Sequence, residues 1–152
     1  MKVDKARFQA LVEARIAAPV AGTGPADEAE RAACMLGDLV RRTGLMIEVL
    51  ADDVRAWLAD WTGTAMDVRI FEATEARSVG IGATFDEWLR HAEAVVIEVA
   101  GGPDLTLHEV SDTAERLYGW LPPNVDVVFG ASIAEDLRGF VGIRLVALRA
   151  PS

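Results

Sequence analysis

The first third of the chain has the hydrophobic periodicity of amphipathic helices. Four apolar residues recur at helical spacing near its start: Phe8, Leu11, Val12 and Ile16. This spacing predicts a helix over residues 4–18. Residues 18–27 form a turn-rich linker, and Gly24–Pro25 inside it suits the start of a second helix that extends to about Arg42. The first third of the molecule is therefore predicted to be helical.

A third helix is predicted after an apolar loop. Residues 45–51 are apolar apart from Glu48, and either Asp52 or Asp53 then serves as the N-cap of a helix. Beyond the cap, four apolar residues share one side of that helix: Val54, Trp57, Leu58 and Trp61. A buried side with two tryptophans requires close packing against another part of the protein or against a partner.

From Gly63 onward the pattern changes from helical to alternating. Residues 64–71 alternate apolar and polar positions, which predicts a half-buried strand, and a second strand at 77–82 is an alternative to a loop there. The spacing of Thr84 and Glu87 is that of a capping box and predicts a short helix. Three further strands are predicted where β-branched residues concentrate: 94–100, 125–131 and 140–149.

The segment 101–117 carries the clearest local signals in the chain. Three residues suit a tight turn: Gly101, Gly102 and Asp104. Thr106 and Glu109 then have the spacing of a capping box, and Leu105 with Val110 forms the hydrophobic staple that often accompanies one. The segment therefore predicts a sharp passage from a strand into a helix.

In chain order, the latter two-thirds reads strand, helix, strand, helix, strand, strand. We therefore predict an α+β fold: a four-stranded mixed sheet with two helices on one face, preceded by N-terminal helices. The predicted boundary separates residues 1–50, a helical segment, from residues 51–150, the domain that contains the sheet.

Composition narrows the class of function. The chain of 152 residues is 51% hydrophobic, and its formal net charge of −9 disfavours binding to nucleic acid. A single cysteine, Cys34, allows no intrachain disulfide, and no apolar run is long enough to cross a membrane. Because the two histidines and the cysteine lie far apart in sequence, no metal site is predicted. The expected protein is cytoplasmic, needs no cofactor, and binds neither nucleic acid nor a membrane.

Residues 94–147 resemble the C-terminal domain of FtsZ, the tubulin-like GTPase of bacterial cell division. Three pieces carry the resemblance: AVVIEVAGGPDLTLHEVSDTAERL, PPNVDVVFGASIAEDL and GIRLVAL. Upstream, LVRRTGLM followed by EVLADDVRAWL is similar to the family's long central helix and the loop after it, with Ile47 as a one-residue insertion. The resemblance covers residues 29–149 and implies the sheet of the family's C-terminal domain. It also implies that the second helix matches the family's central helix.

The resemblance implies that the loop at 45–53 corresponds to the catalytic loop of FtsZ. In FtsZ filaments the corresponding loop enters the nucleotide pocket of the next subunit, where its acidic residues orient the attacking water. The resemblance places the family's loop asparagine at Glu48, its first aspartate at Leu50, and its second aspartate at Asp53, beside Asp52. Because leucine binds neither water nor a cation, this loop is expected to be impaired in hydrolysis. Asp53 as a simple helix cap and Glu48 as an exposed loop residue are the alternatives.

FtsZ carries a nucleotide-binding domain before its central helix, whereas this sequence has only a short segment before residue 29. The glycine cluster at residues 21–25 lacks the preceding strand and the glycine run of a phosphate-binding loop. The expected protein is therefore not an enzyme. It is a non-catalytic FtsZ-like protein that acts through protein–protein contacts, for example by capping FtsZ filaments, and its expected partner is FtsZ or another tubulin-like protein.

Two alternative functions stay open. In the first, the chain is a self-associating structural module, a homo-oligomer in which a second copy covers Trp57 and Trp61 or the N-terminal helix. In the second, it is a small-molecule-binding domain on the same fold. The second alternative has the least support, because the sequence shows no convergent cluster of polar residues. No catalytic residue is predicted; the loop at 48–53 is the expected contact site, and the 101–109 junction is expected to be structural.

Overall fold

The computed structural model describes residues 1–18, 26–42, 46–76 and 87–151. The four α-helices are α1 (Lys5–Ala17), α2 (Glu28–Arg41), α3 (Ala51–Ala59) and α4 (Leu107–Tyr118). The five strands are β1 (Lys2–Asp4), β2 (Ala65–Ala76), β3 (Ala94–Gly101), β4 (Asp126–Ile133) and β5 (Phe140–Arg149). Two short 3₁₀ helices are Glu87–His91 and Glu135–Leu137. Three sequence predictions lie outside the described residues: the strand at 77–82, the helix start at Gly24–Pro25, and Thr84 of the first capping box.

The strands form one mixed sheet in the order β1-β2-β5-β3-β4. All neighbouring pairs are antiparallel except β3 and β4, which are parallel. The predicted α+β class with a mixed sheet is confirmed, but the sheet has five strands instead of four. The missed strand is β1, in which Val3 pairs with Met66 and is 4% exposed. Three residues are too few to show an alternating pattern, so only the pairing with β2 reveals this strand.

The helices cover both faces of the sheet. On one face, α4 and the 3₁₀ helix Glu87–His91 contribute Leu89, Val110 and Leu117 to a core with Ile97 and Leu145. This arrangement confirms the prediction of two helices on one face. On the opposite face, α1, α2 and α3 pack against the sheet in a second core. That core joins residues from both sides of residue 50, where the sequence suggests a domain boundary. Among the described residues, no helix is long and apolar enough to cross a bilayer.

Side-chain caps fix where two of the helices begin. The carboxylate of Asp27 accepts a hydrogen bond from the Glu30 N–H at 2.8 Å, so α2 begins at Glu28, after the start expected near Gly24–Pro25. In α4 the predicted capping box is present: the Thr106 hydroxyl accepts from the Glu109 N–H, and the Glu109 carboxylate accepts from the Thr106 N–H, both at 3.2 Å.

The tryptophans that the sequence places on the third helix are covered within the chain. Trp57 is 2% exposed, and its Nε1 donates to the carbonyl oxygen of Asp126 at 3.4 Å. Trp61 is half-buried, and its Nε1 donates to the carbonyl oxygen of Ala65 at 3.1 Å. Burial of these two rings therefore does not by itself require a second copy, because Trp57 is fully covered and Trp61 partly covered within the chain.

Candidate functional site

The loop before α3 is anchored to the edge of the sheet. The Ile47 N–H donates to the carbonyl oxygen of Ala131, and the Ala131 N–H donates back to the Ile47 carbonyl, both at 3.1 Å. Two residues later, Val49 is 2% exposed, and a Cβ at Gly130 would lie 2.7 Å from its Cγ2. The glycine therefore leaves the space that Val49 fills, and the loop is held by both backbone pairing and side-chain packing.

The predicted contact residues lie around these anchors. Glu48 is exposed between Ile47 and Val49, and Leu50 is 56% exposed immediately after them. A single exposed leucine is common on protein surfaces, so Leu50 is distinguished by its place in this loop and not by its exposure alone.

Leu50, and neither of the two predicted aspartates, is the N-cap of α3. The prediction of Asp52 or Asp53 at the N-cap is therefore wrong in position. Asp53 stands at the third helical residue, and its carboxylate accepts from the Leu50 N–H at 2.9 Å. It satisfies one of the free N–H groups at the helix start, as an acidic residue at this position commonly does. The structure thus gives Asp53 a capping role, close to the structural alternative named above.

Asp52 contacts Arg55 of the same helix. Its carboxylate accepts from Arg55 Nη1 at 3.0 Å, and the same guanidinium donates from Nε to Glu13 at 2.7 Å. The hydrogen bond from Arg55 holds the pKa of Glu13 below its usual range. These contacts tie α3 to α1, so Asp52 belongs to an exposed ion-pair cluster between helices.

Glu48 and Asp53 both line a groove of about 350 Å³. The groove is bounded by α3 and by the backbone of β4 from Asp126 to Phe129. Asp60 and Asp126 also line it, so four acidic residues share the lining with Ala56 and Trp57. Of the predicted loop residues, only Glu48 and Asp53 share this groove.

The junction at 101–109 lies at the other end of the sheet from this groove. A Cβ at Gly102 would lie 2.6 Å from Arg138 Cα, which explains why glycine is required there. The Leu105 N–H donates to the Gly102 carbonyl at 2.9 Å and closes the turn. The groove lies beside Asp126, which pairs with Ala94 at the start of β3, whereas the junction follows the last residue of β3. The structure therefore does not bring the loop and the junction into one site.

Sequence reasoning missed a cluster of polar residues around Glu98. Glu98 is 1% exposed, and one of its oxygens accepts from Arg144 Nε at 2.8 Å and from Arg144 Nη2 at 2.6 Å. The other oxygen accepts from Arg42 Nη1 and, at 3.5 Å, from the hydroxyl of Ser132. The statement that no polar cluster converges is therefore wrong. The sequence does contain one indication of this cluster: a single glutamate inside the apolar run of β3. A buried carboxylate costs free energy unless a cation lies close to it.

This cluster forms one wall of an open cavity of about 380 Å³ beyond the end of α2. Both oxygens of the Glu98 carboxylate accept hydrogen bonds from side chains of the same chain. The cluster therefore connects the end of α2 to the sheet. Within the described part of the chain, no three His, Cys, Asp or Glu residues are grouped so that they would hold a metal ion.

Comparison with known proteins identifies the domain. Residues 83–149 match the model of the FtsZ family, C-terminal domain. The cell division protein FtsZ of Magnetospirillum gryphiswaldense is 33% identical over 53% of this chain and 14% of its own length. The FtsZ of Caulobacter vibrioides is 30% identical over 65% of this chain and 19% of its own length. The FtsZ of Rhizobium radiobacter is 30% identical over 72% of this chain and 20% of its own length. The chain thus spans a fifth or less of the length of these relatives.

Solved structures agree with the sequence matches. A mutant FtsZ from M. jannaschii superposes with a TM-score of 0.62 at 25% identity, covering 80% of this chain and 38% of that one. An empty FtsZ dimer from the same organism gives a TM-score of 0.57 at 23% identity, covering 79% of this chain and 38% of that one, a likeness of fold alone. These matches show that residues 83–149 form a domain related to the C-terminal domain of the FtsZ family.

Proposed function

We propose that this chain is a non-catalytic FtsZ-like protein that acts in cell division by binding FtsZ. In this proposal, the loop at 46–53 meets the nucleotide face of an FtsZ subunit and caps the filament there, in the cytoplasm where the partner assembles. The observation that carries the proposal is Leu50, which is 56% exposed on a backbone fixed by the Ile47–Ala131 pairing and by the Leu50–Asp53 hydrogen bond.

The chemistry of the loop supports contact without hydrolysis. The resemblance places a family aspartate at Leu50, and a leucine side chain neither orients water nor balances charge at a phosphate. The other candidate acid, Asp53, accepts the Leu50 N–H at 2.9 Å and is engaged at the helix start. The family match is to the C-terminal domain and not to the GTPase domain, which agrees with a partner that supplies a surface.

The proposal is tested by adding the chain to assembling FtsZ, for example that of Caulobacter vibrioides. Polymer mass is measured by sedimentation and GTP turnover by phosphate release. Capping is expected to lower both at less than equimolar chain, because each filament end needs only one copy. No change in polymer mass or turnover at molar excess would rule the proposal out.

Leu50→Ala, with Leu107→Ala as its control, tests the loop as the contact site. Leu107 is 64% exposed at the start of α4, so both variants shorten an exposed leucine. Truncating a central contact residue typically costs more than about 1 kcal/mol of binding, so Leu50→Ala should require roughly fivefold more protein for the same effect. Leu107→Ala should match the wild type. Equal losses in the two variants would place the contact elsewhere.

A further inference from the structure

The outer edge of β4 presents backbone groups that pair with no other strand in the described ranges of the chain. β4 is the last strand of the sheet, and its inner edge pairs with β3. Ala131 turns its N–H and C=O outward, because both bond to the anchored loop. Since successive residues of a strand point their backbone groups to opposite sides, Val127 and Phe129 also face outward. Neither has a hydrogen-bond partner on that side among the described residues.

The groove beside this edge is strongly acidic. Glu48, Asp53, Asp60 and Asp126 line it, and all four are exposed. Within the part of the chain that the structure describes, none of these carboxylates pairs with a lysine or an arginine. Four like charges around one groove repel one another, and a cationic ligand would relieve that repulsion.

The unpaired edge of β4 and the acidic groove together indicate which kind of ligand would bind there. A second copy of this chain would bring its own acidic groove against this one, and each copy has a net charge of −9, so pairing two β4 edges is opposed by charge. An extended segment with lysine or arginine at alternate positions fits both features. Its backbone pairs with Val127 and Phe129, and its cationic side chains on one face reach the carboxylates.

We propose that the β4 edge and its acidic groove form a docking site for an extended, basic segment of a partner protein, which adds a strand to the sheet. The site adjoins the proposed capping contact at Leu50 and shares Glu48 and Asp53 with the loop at 46–53. Its test contains no FtsZ, so either proposal can fail without the other.

The experiment measures binding of a fluorescein-labelled peptide of alternating lysine and threonine, about eight residues long, by fluorescence anisotropy. A second peptide carries methyl groups on alternate backbone nitrogens, which keeps the charge but removes amide donors and blocks strand pairing. A third replaces each lysine with glutamate. The lysine peptide is expected to bind at low salt and to weaken as salt rises, whereas the other two peptides should not bind.

Asp60→Lys and Glu115→Lys form a matched pair of charge reversals. Asp60 lines the groove at the C-terminal end of α3, where a cation is favoured, so Asp60→Lys should fold normally. Glu115 is an exposed residue of α4 on the opposite face of the sheet. Asp60→Lys is expected to weaken binding of the lysine peptide roughly fivefold or more, and Glu115→Lys to leave it nearly unchanged.

Several results would overturn the proposal. Equal binding of the methylated peptide would mean that charge alone attracts the ligand. Equal losses in the two variants would mean that the net charge of the protein, and not the groove, is responsible. A dimer in sedimentation that Asp60→Lys disrupts would identify a second copy as the occupant. Absence of binding by the lysine peptide at low salt would also reject the site.

Discussion

Glu98 shows how one charged residue joins the N-terminal helices to the sheet. It is 1% exposed, and both of its oxygens accept hydrogen bonds from arginines, Arg144 on β5 and Arg42 at the end of α2. The two guanidiniums are partly exposed, so they remain in contact with water while the carboxylate does not. Loss of the carboxylate should therefore lower the free energy of unfolding by less than the breaking of a fully buried ion pair would. It should lower it by more than the removal of a surface charge would.

Glu98→Gln tests this residue, with Glu72→Gln as its control. Glutamine keeps the shape of Glu98 but lacks the charge that three arginine N–H groups require, so the free energy of unfolding should fall by about 1–3 kcal/mol. Glu72 lies opposite Arg144 on β2 but is exposed, and its change should stay within roughly 0.5 kcal/mol. Urea denaturation followed by tryptophan fluorescence measures both. Similar losses in the two variants would contradict a special role for the buried carboxylate.

The sequence indicates that Glu98 is unusual, but it does not identify the residues that bind its carboxylate. A glutamate within AVVIEVA stands out, because its neighbours alternate between two buried faces. Arg42 and Arg144 are 56 and 46 residues away along the chain, and only the sheet register and the end of α2 bring them together. Spacing along the sequence carries no information about such contacts. The loop residues were easier to propose, because a resemblance to FtsZ located them.

Elements were predicted well where a local signal marks their ends. The capping box of α4 lies within four residues, and the structure contains it as expected. The Asp27 carboxylate caps α2 at Glu28, whereas the predicted start at Gly24–Pro25 lies outside the described residues. The predicted helix before β3 is a 3₁₀ helix in its described part, Glu87–His91. Such short elements depend on packing against the sheet more than on their own periodicity.

The Asp27 cap should make the stability of α2 depend on pH. Its pKa is lowered by the hydrogen bond from the Glu30 N–H, with a smaller contribution from Arg7, despite an opposing effect of burial. Because the folded state favours the charged form, the carboxylate stabilises the protein above the unfolded pKa of about 3.9. That stabilisation is lost as the pH falls through the lower pKa of the folded state.

Asp27→Ala is expected to lower the free energy of unfolding by about 1 kcal/mol at neutral pH, and by less below about pH 4. Asp27→Asn is the control, because the amide oxygen still accepts the Glu30 N–H and does not titrate in this range. Urea denaturation at both pH values measures the difference between each variant and the wild type. A loss in Asp27→Ala that is the same at both pH values would contradict a role for the charged cap.

The whole molecule is held together by a core that crosses from the N-terminal helices into the sheet. Phe8 and Val12 of α1 belong to the same buried cluster as Val96 of β3 and Leu148 of β5. α1 also fits closely against α2, since a Cβ at Gly37 would lie 2.5 Å from Arg15 Cβ. The sequence predicts a boundary at residue 50, but the packing runs across that position. Long-range packing of this kind cannot be inferred from local patterns.

Phe8→Ala tests this continuity. Phe8 is 0% exposed, and removing its ring should lower the free energy of unfolding by about 3–5 kcal/mol. Because the cluster is continuous, far-UV circular dichroism and tryptophan fluorescence should report one shared transition. Leu11→Ala, at a partly buried position of the same helix, should cost clearly less. Two separate transitions in Phe8→Ala would show that α1 unfolds independently of the sheet.

The position of β5 has a consequence for the nascent chain on the ribosome. β5 is the last strand in chain order, yet it lies in the middle of the sheet and pairs with both β2 and β3. Until Phe140 to Arg149 has been translated, the edges of both partner strands are open to other chains. Because unpaired edges promote aggregation, a pause in translation between β3 and β5 would be more harmful to this protein than a pause before β2.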